Sequence, residues 1–380
     1  MDPCHNLSTP HLSALCDIAD LAALRVSHPA FTVCSGSCSH VPTPWNRHEI
    51  PKCRGENIWS VNYSLFSGDA ALGVVNADAW ILKLGENDIT DLQADALNLV
   101  PNVESILLEH NAIKTIHPQA FSGAVHLRLL NLERNHITKL PPRGFKDLLN
   151  LRFLMLGQNQ IGLLKADMFA GMKNLSDLDL PLNSLTSLPP NAFKHLTSLK
   201  VLDLSLNVIQ RMSPKAFTGL QQLMFLNLDN NSLKTIPAGA FKPLRSLEML
   251  VLDNNLLSSL KPSALDGLDN LQELYLRKNN LEQLLPDVFS NMPKLSQLAL
   301  SGNRLKTVNG NMFIHMPNLR KLHLHDNPWR CDCNLSSLVQ WLKQTKAALS
   351  PRTAMRCLSP PELQNKILSS LGDDKLLCHV

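Results

Sequence analysis

The chain has 380 residues, of which 44% are hydrophobic and 18% charged, with a net charge of +4. That balance excludes a disordered, highly charged polypeptide and gives too little positive charge for a dedicated nucleic-acid binder. No run of 18 apolar residues exists, so no membrane-spanning helix is expected.

Residues 1–33 are a poorly specified leading segment. Asp17 and Asp20 interrupt its one apolar stretch and no basic cluster precedes it, so a secretory signal is not evident. Cysteines occur only at the two ends: Cys4, Cys16, Cys34, Cys38 and Cys53, then Cys331, Cys333, Cys357 and Cys378. This distribution predicts stapled ends on a cysteine-free middle, and hence an oxidising compartment. Metal binding by the same cysteines is the alternative. Structural zinc fits the final four poorly, because they combine a CxC spacing with long gaps.

From residue 79 to 327 one phrase, LxxLxLxxN, is written eleven times. Its asparagines are 87, 111, 135, 159, 183, 207, 231, 255, 279, 303 and 327, always 24 residues apart. Such a fixed period marks a solenoid of leucine-rich repeats, each unit unable to bury its apolar face alone. The xxLxL segment alternates as a strand does, leucines inward and the other positions outward. Eleven such strands pair in parallel into one concave sheet. Each asparagine is expected to point inward and bond backbone groups of neighbouring turns. Ten residues after it stands a bulky residue: Phe at 121, 145, 169, 193, 217, 241, 289 and 313, and Leu at 97 and 265. These predict a packed column near the convex side. Pro141, Pro189 and Pro237 suit an irregular convex arm with no ladder to break.

The register fixes which side chains line the concave face. Leu129, Phe153 and Met155 form one expected exposed apolar patch, and Phe225, Met249, Val251 and Tyr275 another. Asp177, Asp179 and Asp203 lie between them, with Asp229, Asp253 and Arg277 alongside. Apolar groups rimmed by charge are a protein-contact signature, although acids on a wet strand are also ordinary solvated surface. Arg277, Lys278, Arg320, Lys321 and Arg330 make the C-terminal end basic; a solvated basic surface is favoured over a seat for a sulfated glycosaminoglycan. His323 and His325 alternate on the last repeat strand beside Asp326; a solvated pair is favoured over a metal site. No signature of a nucleophile, phosphate loop or zinc protease occurs, so no enzyme, cofactor or metal is expected. Sequons stand at Asn6, Asn62, Asn174, Asn230 and Asn334, with Asn62 and Asn174 the favoured acceptors.

After Asn327 comes PWRCDCNLSSLVQWL, then Cys357 and Cys378. Leu335, Leu338, Val339 and Leu342 have helical spacing, with Asn334 as expected N-cap. This resembles the cysteine-rich C-terminal cap of extracellular leucine-rich repeat proteins. Cys34, Cys38, Cys53 and Gly55, followed by Ile58 and Val61, are similar to the N-terminal cap of the same family, except that His40 stands where its third cysteine belongs. The resemblance implies an α/β solenoid, a right-handed horseshoe with a parallel concave sheet. It also implies a disulfide-bonded N-terminal cap over 34–78 and a C-terminal cap over 328–380 with bridges Cys331–Cys357 and Cys333–Cys378. At the N-terminal cap, Cys4 or Cys16 would have to replace the missing partner. The function implied is extracellular, non-catalytic recognition of a protein ligand on the concave face. The alternatives are a matrix component holding collagen or glycosaminoglycan, and a stabilising subunit of a secreted enzyme.

Overall fold

The structure is a computed structural model that describes residues 58–60, 80–97, 100–349 and 355–378. Among them, thirteen parallel strands form one sheet. Eleven are the repeat strands, running from Ile81–Lys83 to Lys321–His323. Two more extend it from the flanks: Ile58–Ser60 pairs with the first repeat strand and Ala348–Leu349 with the last. Every pairing between repeat strands is offset by one sequence period, as where Val201 faces Asp177 on one side and Phe225 on the other. The constant period explains this. A slip of one residue would turn every leucine outward.

The asparagine ladder forms as expected. The Asn207 amide donates to the carbonyls of Leu180 at 2.9 Å, Leu204 at 3.1 Å and Ser205 at 3.1 Å, and its Oδ1 accepts from the Leu185 N–H at 3.0 Å. One side chain thus joins two turns and satisfies four backbone groups that have no water to turn to. The same four-way pattern holds at Asn111 and at Asn327. The phenylalanine column also forms. Phe193 stacks on Phe169 at 6.1 Å and on Phe217 at 6.3 Å, and all three are fully buried.

The residue before each ladder asparagine is left-handed. From Glu86 to Asp326 all eleven have φ between 49° and 67°, and only Gly302 among them is glycine. The bend carries the ladder past the strand. Its N–H donates to the next repeat, as from Leu206 to the Asp229 carbonyl at 2.9 Å.

The convex side corrects one expectation. It holds 3-10 turns such as Ala166–Phe169, but it also carries two short parallel ladders. Asp91–Leu92 pairs with Thr115–Ile116, and Ser187–Leu188 with Arg211–Met212. Pro141 and Pro237 do follow irregular chain, whereas Pro189, with no N–H to offer, directly follows the Ser187–Leu188 strand.

A second period of 48 residues runs through this arm. Asp95, Arg143, Asn191 and Gly239 are left-handed, and each donates its N–H to a carbonyl of the following repeat. In the intervening repeats the left-handed residue stands elsewhere, at Gly123, Gly171, Gly219 and Gly267. At Gly219, with φ of +99°, a Cβ would meet the Lys194 carbonyl oxygen of the preceding repeat at 2.7 Å. Adjacent repeats therefore differ in backbone and lock as unlike partners.

The C-terminal cap has the bridges implied above. Cys331–Cys357 and Cys333–Cys378 span Cα separations of 5.7 and 4.9 Å. Its helix, Ser336–Gln344, is the sole α-helix among the described residues. Asn334 is not its N-cap. A 3-10 turn, Cys333–Leu335, precedes the helix, and Asp332 caps that turn by accepting from the Asn334 N–H at 3.0 Å. Trp341 of the helix packs on Phe313 at 4.6 Å, which ties the cap to the last repeats. The N-terminal cysteines Cys34, Cys38 and Cys53, with Cys4 and Cys16, lie outside the described residues.

Candidate recognition surface

The twelve concave residues singled out in the sequence all stand on or beside the repeat strands, but they divide into two groups. Leu129, Met155, Asp179, Asp203, Phe225, Met249 and Arg277 remain partly exposed. Phe153, Asp229, Val251, Asp253 and Tyr275 are buried, which corrects the expectation of an open Phe225–Tyr275 patch. Tyr275 is only 6% exposed and Val251 1%. Around Tyr275 the neighbours are long polar side chains: Glu273, Gln297 and Arg277.

That cover is one connected network. The Tyr275 hydroxyl donates to Glu273 Oε2 at 2.5 Å and accepts from Gln297 Nε2 at 3.0 Å. The Arg277 guanidinium lies 5.2 Å from the Tyr275 ring centroid, an arrangement that favours a cation over the ring face. Arg277 Nε donates to Asp253 Oδ2 at 2.8 Å, and its backbone N–H donates to Asp253 Oδ1 at 2.6 Å. One repeat earlier, Asp229 accepts from Asn230 at 2.6 Å and from Asn254 at 2.9 Å. Burial pushes the Asp253 carboxyl above its ordinary range, and the Arg277 contacts only partly oppose this. Burial, then the neighbouring Glu273 charge, pushes the Tyr275 phenol up as well. This stretch is a self-satisfied brace.

What stays open on the concave sheet is smaller and more specific. Phe225 and Met249 face each other across adjacent strands and are half-buried. Leu129 stands beside Phe153 on the neighbouring strand, and Met155 beside Asp179. Asp179 and Asp203 are themselves strand partners, so the acids form a stripe between the two apolar spots.

Along the strand ends runs a surface that the concave register does not reveal. The left-handed column places Leu182 and Leu206 on adjacent rungs, 44% and 37% exposed, with Val208 next to them at 47%. The sequence signal was present in the residues flanking each ladder asparagine, which the two-residue strand alternation leaves out of account.

At the basic end, two of the five cations are ion-paired: Arg277 with Asp253, and Arg330 with Asp332 at 2.7 Å. Lys278 and Arg320 are exposed and Lys321 is half-buried. The His323 and His325 rings lie 6.2 Å apart, and His325 is 3.8 Å from Asp326. Of the sequons, Asn174, Asn230 and Asn334 are exposed, whereas Asn6 and Asn62 lie outside the described residues. Asn174 donates to the Leu149 carbonyl at 2.8 Å.

Residues 81–328 match a leucine-rich repeat model in five overlapping copies: 81–137, 125–185, 173–233, 221–281 and 269–328. The chain belongs to the leucine-rich repeat family. It is 42% identical over 50 residues to the human platelet glycoprotein Ib beta chain, covering 13% of this chain and 24% of that protein. The chain thus matches about a quarter of that curated relative's length. Among solved structures it is similar to human trophoblast glycoprotein, with 30% identity, a TM-score of 0.55, and coverage of 65% of this chain and 94% of the other. A further likeness is to a complex of latrophilin 3, Unc5D and the leucine-rich repeats of FLRT2, with 27% identity, a TM-score of 0.68, and coverage of 79% and 90%. Among the described residues no helix is long and apolar enough to cross a membrane.

Proposed function

We propose that the chain is an extracellular, non-catalytic recognition protein that binds a protein ligand on its concave face. The observation that carries this reading is the pair of half-buried apolar spots, Phe225–Met249 and Leu129–Met155, separated by the Asp179–Asp203 stripe on a preordered sheet. Side chains held in place before binding lose little entropy on contact, which makes a rigid sheet a good binder and a poor machine. The solved relative in which FLRT2 repeats sit in an assembly with two other proteins supports protein partners as the ligand class. The disulfides of the C-terminal cap support an oxidising, extracellular setting. The polar brace around Tyr275 gives the face stiffness rather than contact area, so the contact residues to test are Phe225 and Met249.

The test is a binding screen of the full chain against a panel of secreted and receptor ectodomains. We expect at least one partner, and a Phe225→Ala/Met249→Ala double variant should lose tenfold or more in affinity while its melting temperature falls only slightly. A partner bound equally well by the double variant would remove the concave assignment. Absence of any partner would remove protein recognition itself.

A further inference from the structure

Leu182, Leu206 and Val208 are exposed and lie outside the buried core. The fold demands a left-handed backbone at the position before each ladder asparagine, and outside 182 and 206 it meets that demand with polar residues or glycine: Glu86, His110, Arg134, Gln158, Asn230, Asn254, Lys278, Gly302 and Asp326. Asparagine and glycine enter this conformation at lower cost than leucine, whose Cβ crowds the carbonyl there. At 182 and 206, both with φ of 54°, the chain instead carries leucine and leaves much of each side chain in water. Neither stability nor solubility accounts for this pairing, and Val208 extends the same apolar surface.

Charge says what would cover it. Three residues before Leu182 stands Asp179, and three before Leu206 stands Asp203; the two acids are strand partners, with Asp177 in the same strand as Asp179. On the other flank Thr186 and Gln210 are exposed and uncharged, and Arg211 beyond them is an exposed cation. The concave side of the apolar edge is therefore acidic and the outer side is not. Asn230 occupies the next rung after Leu206, and its amide is held by Asp229 at 2.6 Å.

We propose that Leu182, Leu206 and Val208, with the acidic flank of Asp179 and Asp203, form a docking edge for a segment of a partner protein that presents aliphatic side chains beside lysine or arginine. This rests on the protein-recognition reading above and adds to it both a second contact strip and the chemistry of what it takes. Aliphatic side chains of the partner cover the three apolar groups, and its cations lie over the carboxylates, where charge complementarity sets register and speeds encounter.

A random dodecapeptide display library selected on the folded full chain tests this. Enriched peptides should pair Leu, Ile or Val with Lys or Arg. Made synthetically, they should bind at least tenfold more weakly to a Leu182→Gly/Leu206→Gly double variant, glycine being the residue the chain itself uses at 302. That variant should melt at the same temperature or higher, an outcome that a structural role for the leucines would reverse. An Asp179→Asn/Asp203→Ser variant should bind several-fold more weakly and lose most of the salt dependence. Enriched peptides without cationic bias, or binding that neither variant changes, would overturn the proposal. So would self-association of the chain through these leucines without peptide binding, or a glycan on Asn230, which would cover the edge. Peptides lost only on Phe225→Ala/Met249→Ala would overturn the docking edge yet leave the concave reading standing.

Discussion

Asn207 and Asp203 are four residues apart in one repeat, yet they belong to different regimes. The inner ladder position is the same residue in all eleven repeats, and wherever its full set of bonds forms it makes the same four contacts. The outer position changes at nearly every repeat, from Lys83 through Asp203 to His323, and its contacts change with it: Asp203 accepts from the Ser205 N–H at 2.8 Å, whereas Tyr275 bonds the side chains of Glu273 and Gln297. The comparison separates two kinds of information. The inner column specifies a fold, and repetition makes it cooperative from turn to turn. The outer column is free of that duty and can encode a contact.

The sharpest break of this contrast is Asn207→Ala. It strips four buried backbone groups of partners, each loss costing on the order of 1 kcal/mol or more, so we expect about 3 kcal/mol or greater by denaturant unfolding. An outer substitution such as Asp179→Asn should stay within about 0.5 kcal/mol in the same assay. Gly219→Ala comes next. It meets both a left-handed backbone and the Lys194 carbonyl, and should cost about 2 kcal/mol, whereas Gly123→Ala, with open space around it, should cost less. Tyr275→Phe tests the one outer region that behaves like an inner one. Losing the bonds to Glu273 and Gln297 should cost about 1 kcal/mol. A null effect would return Tyr275 to the contact surface.

The smallest expected effect is a pH dependence at Glu109. Its Oε2 is buried without a partner, and burial raises its pKa above the ordinary 4.5, with Glu133 and Glu86 adding repulsion and His110 opposing. A carboxyl whose pKa is raised on folding favours the folded state below about 4.5 and loses that contribution as pH rises through the folded value. Glu109→Gln should therefore raise the melting temperature at pH 7 and show no gain near pH 4. Equal gains at both pH values would exclude this origin.

The inner half of this contrast was legible from residues alone. The period fixed the register, the asparagines announced their bonds, and the phenylalanines announced their column, because each depends on a residue meeting its own copy one turn away. The outer half was legible only as position. That Tyr275 would be covered depends on how far Glu273, Gln297 and Arg277 reach, and no alternation rule contains side-chain length. The Asn334 cap was misplaced because a 3-10 turn capped by Asp332 precedes the helix and takes Asn334 into its own interior. The Leu182–Leu206 edge was missed because its residues sit at a bend, where the two-residue alternation of a strand no longer applies.

The 48-residue period has a consequence for how such an array changes length. Since a left-handed Arg143 or Asn191 turn meets a glycine turn at the next repeat, excising a single 24-residue unit would set two turns of one kind against each other. Glycines such as Gly171 and Gly219, fitted against Lys146 and Lys194, would then face the wrong backbone. Removing or duplicating two units restores the alternation at the junction. Within the span where the alternation runs, the unit of inheritance is thus the couplet, and chains of this design should grow and shrink by twos.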